Sequence, residues 1–275
     1  MEGLSRRDFL KSVGALTFGA STIFSILEAV AQEKRFTIEV DRRFYKQFDG
    51  NKTQCFICPL NCMLNPGETC FCRTRNNVNG RLISYAYNNP CIISLDPIEK
   101  LPLAHYVPGQ NTVSLAIGGC NLRCLYCQNW QQSQSKPEKL KNFDLPVDRA
   151  VKGAIDKDCK ILAYTYTEPV AFYEYIRDVA TLARKKGLKN VCATALFINP
   201  DPLREMCKFV DAFSVALKGF DDKFYEKVLG SQLKPVLKAL EVLKEQKAYF
   251  ELVTLIVPTY NDDFAKIKEM CKWIS

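Results

Sequence analysis

From Val113 onward, short apolar runs alternate with amphipathic segments, and that rhythm admits few folds. The runs near residues 113–117, 161–166, 190–196, 212–217 and 250–257 read as strands. Residues 147–157, 170–186, 202–209, 222–229 and 235–246 show helical spacing, with Pro169 and Pro202 at helix starts and Gly187 just past a helix end. The alternation predicts an α/β fold built on a parallel sheet, a partial (β/α) barrel of five to six units. Residues 263–275 are again helical in pattern and carry no terminating signal. A strand beyond Ser275 is therefore expected, and the barrel over 111–275 reads as C-terminally truncated.

Ligand sites in such folds lie at the carboxyl ends of the strands. The first strand runs directly into Cys120-Asn121-Leu122-Arg123-Cys124-Leu125-Tyr126-Cys127. This C-x3-C-x2-C spacing reads as an iron–sulfur ligand loop. Three thiolates at one loop tip converge on one face of a cubane cluster, whereas two would be a redox pair and four would close the coordination. An iron without a thiolate stays open to a small molecule. The second strand ends in Tyr164-Thr165-Tyr166-Thr167-Glu168-Pro169 and the fourth in Leu217-Lys218-Gly219, so a carboxylate and a cation follow on the same rim.

Thirteen cysteines in 275 residues is an odd and high number. A disulfide scaffold would be shorter, so metal or cluster ligation explains the count better. Cys55, Cys58, Cys62 and Cys72 form a second group, with Cys70 as a competing ligand, in a loop-rich stretch to which bound metal would supply order. Its spacing departs from paired C-x2-C zinc knuckles and leaves structural zinc, a second cluster and unligated thiols all open. Cys70, Cys91, Cys159, Cys192, Cys207 and Cys271 sit mostly in apolar segments and read as plain buried thiols. The single histidine, His105, reads as structural.

With these residues in view, the chain resembles the radical S-adenosylmethionine (SAM) enzymes of the AmmeMemoRadiSam system, relatives of pyruvate formate-lyase activating enzyme. The matching stretches are 55–62, Asp96-Pro97-Ile98-Glu99-Lys100, Pro108-Gly109, the cysteine loop with its Gln128-Asn129-Trp130 tail, 164–169, Leu217-Lys218-Gly219-Phe220 and 258–262. The resemblance implies a radical SAM partial barrel in which Cys120, Cys124 and Cys127 hold a catalytic [4Fe–4S] cluster that cleaves SAM reductively. It implies SAM contacts at Tyr126, Thr165, Glu168 and Lys218: Tyr126 near the adenine, Glu168 toward the ammonium, Lys218 toward the carboxylate. Its partners would be SAM, a reducing electron donor and an unidentified substrate, with a protein as one class. Three positions depart from the family pattern, which has asparagine at Thr167, aspartate at Ala216 and a Thr-Asn-Gly turn at Thr194-Ala195-Leu196.

Residues 1–31 read as a twin-arginine leader, with Ser5-Arg6-Arg7-Asp8-Phe9-Leu10-Lys11, an apolar stretch over 13–27 and small residues at Ala29-Val30-Ala31. That apolar stretch is shorter than the roughly 20 residues needed to span a bilayer. A leader implies the twin-arginine translocase and export; SAM use implies the cytoplasm. Residues 32–110 form the linker and cysteine-rich module, the linker holding one strand or helix. The formal charge of +8 belongs to the folded part, where basic residues are scattered as on solvated faces, and nucleic acid is not expected as a partner. Two other classes compete: an exported iron–sulfur electron-transfer protein on the same scaffold, and a zinc-bearing partner-binding module.

Overall fold

The computed structural model describes residues 36–275, and the leader expected over 1–31 lies outside the described residues. No helix among the described residues is long and apolar enough to cross a membrane. Twelve strands are described. Strands β1 (Ile38–Glu39), β2 (Tyr45–Phe48), β3 (Lys52–Cys55), β4 (Met63–Leu64), β5 (Arg75–Val78) and β6 (Arg81–Ser84) belong to the N-terminal region. They make two antiparallel sheets, ordered β1-β6-β5 and β2-β3-β4. The linker thus carries two strands rather than one element.

The main sheet has six strands: β7 (Ile92–Pro97), β8 (Asn111–Ala116), β9 (Ile161–Tyr164), β10 (Lys189–Thr194), β11 (Ala212–Ala216) and β12 (Tyr249–Val253). Its order is β12-β11-β10-β9-β8-β7, with β8 to β12 parallel. The parallel strands are apolar on both faces because helices cover one side and the barrel interior the other. Those helices are α1 (Trp130–Ser133), α2 (Val147–Asp156), α3 (Tyr173–Lys185), α4 (Pro200–Met206), α5 (Asp222–Lys227), α6 (Leu233–Glu245) and α7 (Phe264–Ile274). Pro169 starts a 3-10 turn, Pro169–Phe172, so α3 begins three residues later than its spacing suggests.

Residues 95–103 begin as the end of strand β7. β7 pairs antiparallel with β8, Asp96 opposite Thr112, and Pro97 closes it at the sheet edge, where a missing N–H costs no ladder bond. The chain then crosses the concave face as a strap. Ile98, Leu101 and Leu103 pack against Ile161, Ala163, Val191 and Ala212 in the barrel interior. At its far end the Ala104 and His105 N–H groups donate to the Glu251 carboxylate on β12, both at 2.9 Å, and His105 Nδ1 lies 3.2 Å from Glu251 Oε2. One short segment therefore ties together the two edge strands of an open sheet.

Burial pushes the Glu251 pKa up, but the His105 and Ala104 N–H donors and the His105 and Tyr249 side chains outweigh it and hold the carboxyl at about 2. Because the folded value lies below the ordinary 4.5, the contribution to stability is complete above pH 4.5 and is lost as pH falls through about 2. Glu251→Gln is expected to cost about 1.5–3 kcal/mol at neutral pH, the worth of hydrogen bonds to a charged acceptor. Urea unfolding at pH 7 checks it, and an unchanged midpoint would remove the strap's anchor from the account.

Candidate active site

The loop after β8 is fixed by backbone bonds on every side. Arg123 N–H donates to Leu229 C=O at 2.7 Å, Leu125 N–H to Val228 C=O at 3.0 Å, and Cys120 N–H to Cys72 C=O at 3.2 Å. Asn121 Nδ2 donates to Phe197 C=O at 2.7 Å. The Arg123 guanidinium donates to Cys120, Leu122 and Phe71 carbonyls and lies 3.6 Å from the Phe71 ring centroid. These bonds hold Cys120 buried and Cys124 and Cys127 half-buried on one wall of a cavity. Leu122 N–H points at Cys120 Sγ at 3.4 Å, and Ser133 Oγ lies 3.4 Å from Cys127 Sγ. Burial pushes the Cys120 and Cys124 thiols up, while the Lys218 charge draws Cys124 back down.

Gly119 makes this approach possible. Its φ is +100°, and a Cβ there would lie 2.6 Å from the Cys72 carbonyl oxygen and would also strike Thr74 Cγ2. Gly119→Ala is expected to destabilise the chain by more than ~1 kcal/mol, since both the backbone angle and the space are wrong. A thermal scan beside wild type tests this, and an unshifted midpoint would contradict the close contact.

The cavity, about 510 Å³, opens at the carboxyl ends of the parallel strands. It brings together Cys120, Cys124, Cys127, Tyr126, Glu168 and Lys218, with Thr165 and Ala216 also in its wall. Tyr126 stacks on Phe224, centroids 6.4 Å apart, and its buried hydroxyl has no protein partner. Lys218 Nζ lies 5.9 Å from the Tyr126 ring centroid. Glu168 is buried, and burial pushes its pKa up against the pull of its donors and of Lys218. Its oxygens accept from Thr194 Oγ1 at 2.5 Å, Ala195 N at 2.9 Å and Val170 N at 3.3 Å. The last of these is the helix-start cap, so the acid both caps the Pro169 turn and faces the cavity. A carboxylate offers about four acceptor positions, so one remains for a ligand.

Residues 115–274 match the Radical SAM superfamily. The chain belongs to that superfamily. It is 43% identical over 220 residues to an uncharacterized protein of Methanocaldococcus jannaschii, covering 80% of this chain and 65% of that one. It is 25% identical over 177 residues to the pyruvate formate-lyase-activating enzyme of Clostridium pasteurianum, covering 61% and 70%. The structure described as native anSMEcpe with bound AdoMet is similar at a TM-score of 0.46 and 18% identity, covering 58% of this chain and 48% of that one.

The radical SAM family implies an iron–sulfur cluster and SAM, and the donor set suits both. Three soft thiols with an N–H and a hydroxyl beside their sulfurs suit iron, and such polar neighbours stabilise a ligating sulfur. The unpartnered Tyr126 hydroxyl and the spare acceptor position on Glu168 suit a polar small molecule. Among the described residues no three His, Cys, Asp or Glu side chains are arranged to hold a single metal ion.

Several radical SAM site features were missed in the sequence. Thr194 and Ala195 N–H hold Glu168, and the departure from Thr-Asn-Gly puts Leu196 at φ +56°, where glycine would sit without strain. Thr167 Oγ1 donates to Ile117 C=O at 2.5 Å, tying the second strand's end to the first. Lys100, Leu101 and Pro102 of the strap line the cavity as well, a placement that only the antiparallel β7 explains.

Proposed function

We propose that the chain is a radical SAM enzyme that cleaves SAM reductively and abstracts hydrogen from a polypeptide substrate. The carrying observation is the convergence of three cysteines, Glu168 and Lys218 on one cavity at the strand ends. Cys120, Cys124 and Cys127 would hold a [4Fe–4S] cluster, which, once reduced by an external donor, would supply the electron for reductive cleavage of SAM. The chain's own part is to orient and enclose. Glu168 offers its remaining acceptor position to the SAM ammonium group, and Lys218 stands where its charge meets the carboxylate. Tyr126 presents its hydroxyl and ring to the adenosine end, and Thr165 adds a hydroxyl to the wall. Departure at Ala216 leaves no acid there, so the binding rests on Glu168 and Lys218.

A polypeptide substrate is favoured by two exposed apolar side chains, Leu125 within the ligand loop and Trp130 three residues past it, at 68% and 61% exposure. The activating enzyme of Clostridium pasteurianum lends the same direction. An electron-transfer protein has no use for a cavity of about 510 Å³ beside its centre, and no observation among the described residues favours that alternative.

The test is anaerobic reconstitution with iron and sulfide, then assay for 5′-deoxyadenosine after adding SAM and a strong reductant. Iron and sulfide bound at Cys120, Cys124 and Cys127 with no deoxyadenosine under any reducing condition would end this reading.

A further inference from the structure

The N-terminal module gathers five cysteines into one place. Cys55 ends β3, Cys58 and Cys62 lie in the turn to β4, and Cys70 and Cys72 flank Phe71 before β5. The Cys70 thiol sits against the sulfurs of Cys55, Cys62 and Cys72, and Cys58 is near enough to Cys55, Cys62 and Cys72 to feel their charge. All but Cys62 are buried. Isolated buried thiols such as Cys159 and Cys192 pack as small hydrophobes; a cluster of five, with Cys70 against three of the others, calls for another account.

Hydrogen-bond donors surround several of these sulfurs. Phe71 N–H points at Cys62 Sγ at 3.5 Å, and Leu60 N–H serves Cys58. Cys72 Sγ has the Thr74 hydroxyl at 3.1 Å and the Arg75 guanidinium at 3.7 Å. Cys55 N–H donates to Cys62 C=O at 3.0 Å, closing the C-x2-C-x3-C turn on itself. Sulfurs gathered among N–H, hydroxyl and guanidinium donors are the setting in which cysteine ligands hold a metal.

We infer that Cys55, Cys58, Cys62 and Cys72 bind a second thiolate-ligated metal centre, separate from the one at Cys120, Cys124 and Cys127, with Cys70 a spare thiol. Zinc and an iron–sulfur cluster share this donor chemistry. As they stand the sulfurs do not frame a single ion; the Cys70 sulfur lies among them and turns away on uptake. The centre braces the catalytic loop. Cys72 C=O receives Cys120 N–H, Phe71 C=O receives Arg123, and Asn199, past β10, binds Ile57 C=O at 3.0 Å and Phe56 C=O at 2.8 Å.

The test uses the full chain carrying Cys120→Ala, Cys124→Ala and Cys127→Ala together, purified anaerobically and analysed for zinc, iron and acid-labile sulfide. Retention of about one zinc, or of iron with matching sulfide, supports the second centre and identifies it. Metal-free protein with native circular dichroism overturns it. Should that variant not fold, single changes in the otherwise native chain decide: Cys72→Ala and Cys55→Ala lose the additional metal, and Cys70→Ala keeps it. Loss in Cys70→Ala with retention in Cys55→Ala would overturn the ligand assignment. None of these readouts involves SAM, so this inference and the proposed function fail independently.

Discussion

The Cys124→Ala protein will produce no 5′-deoxyadenosine above background, and Cys120→Ala and Cys127→Ala will match it. Three thiolates are the fewest that hold a cubane while leaving one iron open, and the loop offers no substitute. Cys120 is locked by Leu122 N–H at its sulfur and by Cys72 C=O at its nitrogen, so the loop cannot shift to recruit a neighbour. The expected loss therefore exceeds the ~10–100-fold that follows removal of an outer partner of a metal ligand. Ser133→Ala, which removes the hydroxyl 3.4 Å from Cys127 Sγ, supplies that smaller effect as an internal control. Iron content and deoxyadenosine yield are measured together. SAM cleavage surviving in Cys124→Ala would remove this loop from the chemistry.

How much of this was legible depended on distance along the chain. The parallel strands were readable because each is a continuous apolar run, and the structure finds β9 and β11 starting at the expected residues, Ile161 and Ala212. The cysteine loop was readable because its ligands lie within eight residues. β7 was hidden because an edge strand is half exposed and its proline mimics a connection. The Glu168 carboxylate was foreseen, whereas its partners Thr194 and Ala195 lie a whole β/α unit away. The buried-thiol reading fails for Cys271, which is exposed; Cys70 is buried against the module's sulfurs, and Cys91 and Cys207 are only partly buried. His105, expected as structural, is tied to Glu251 on β12. A fold-wide contact of two distant polar residues carries no local signature, and the most buried ion pair among the described residues, Arg75 with Glu174, is of that kind.

Arg75→Met is expected to destabilise the folded chain by about 3–5 kcal/mol, the usual result of stranding one member of a buried ion pair. Arg75 and Glu174 are 2% and 1% exposed and meet in a bidentate pair, with Nε and Nη2 each 2.9 Å from a carboxylate oxygen. Nη2 also donates to Val170 C=O at 3.1 Å, two residues beyond Glu168. Burial works against the Arg75 charge, and Glu174 together with the nearby Cys72 and Cys55 sulfurs more than offsets it. Replacing both residues, Arg75→Met with Glu174→Leu, removes the stranded charge and should restore most of the loss, because a packed apolar pair is often no less stable than the ions it replaces. Denaturant unfolding under anaerobic conditions measures both, read as midpoint at constant slope. A single-variant loss below ~1 kcal/mol would mean that the pair contributes no more than a surface bridge. A full effect would show that the N-terminal module is joined to the barrel at the start of α3, six residues past Glu168. Loosening that joint should then raise the SAM concentration needed for half-saturation in the double variant even where stability has recovered, because the pair fixes the position of Glu168 as well as the docking of the module.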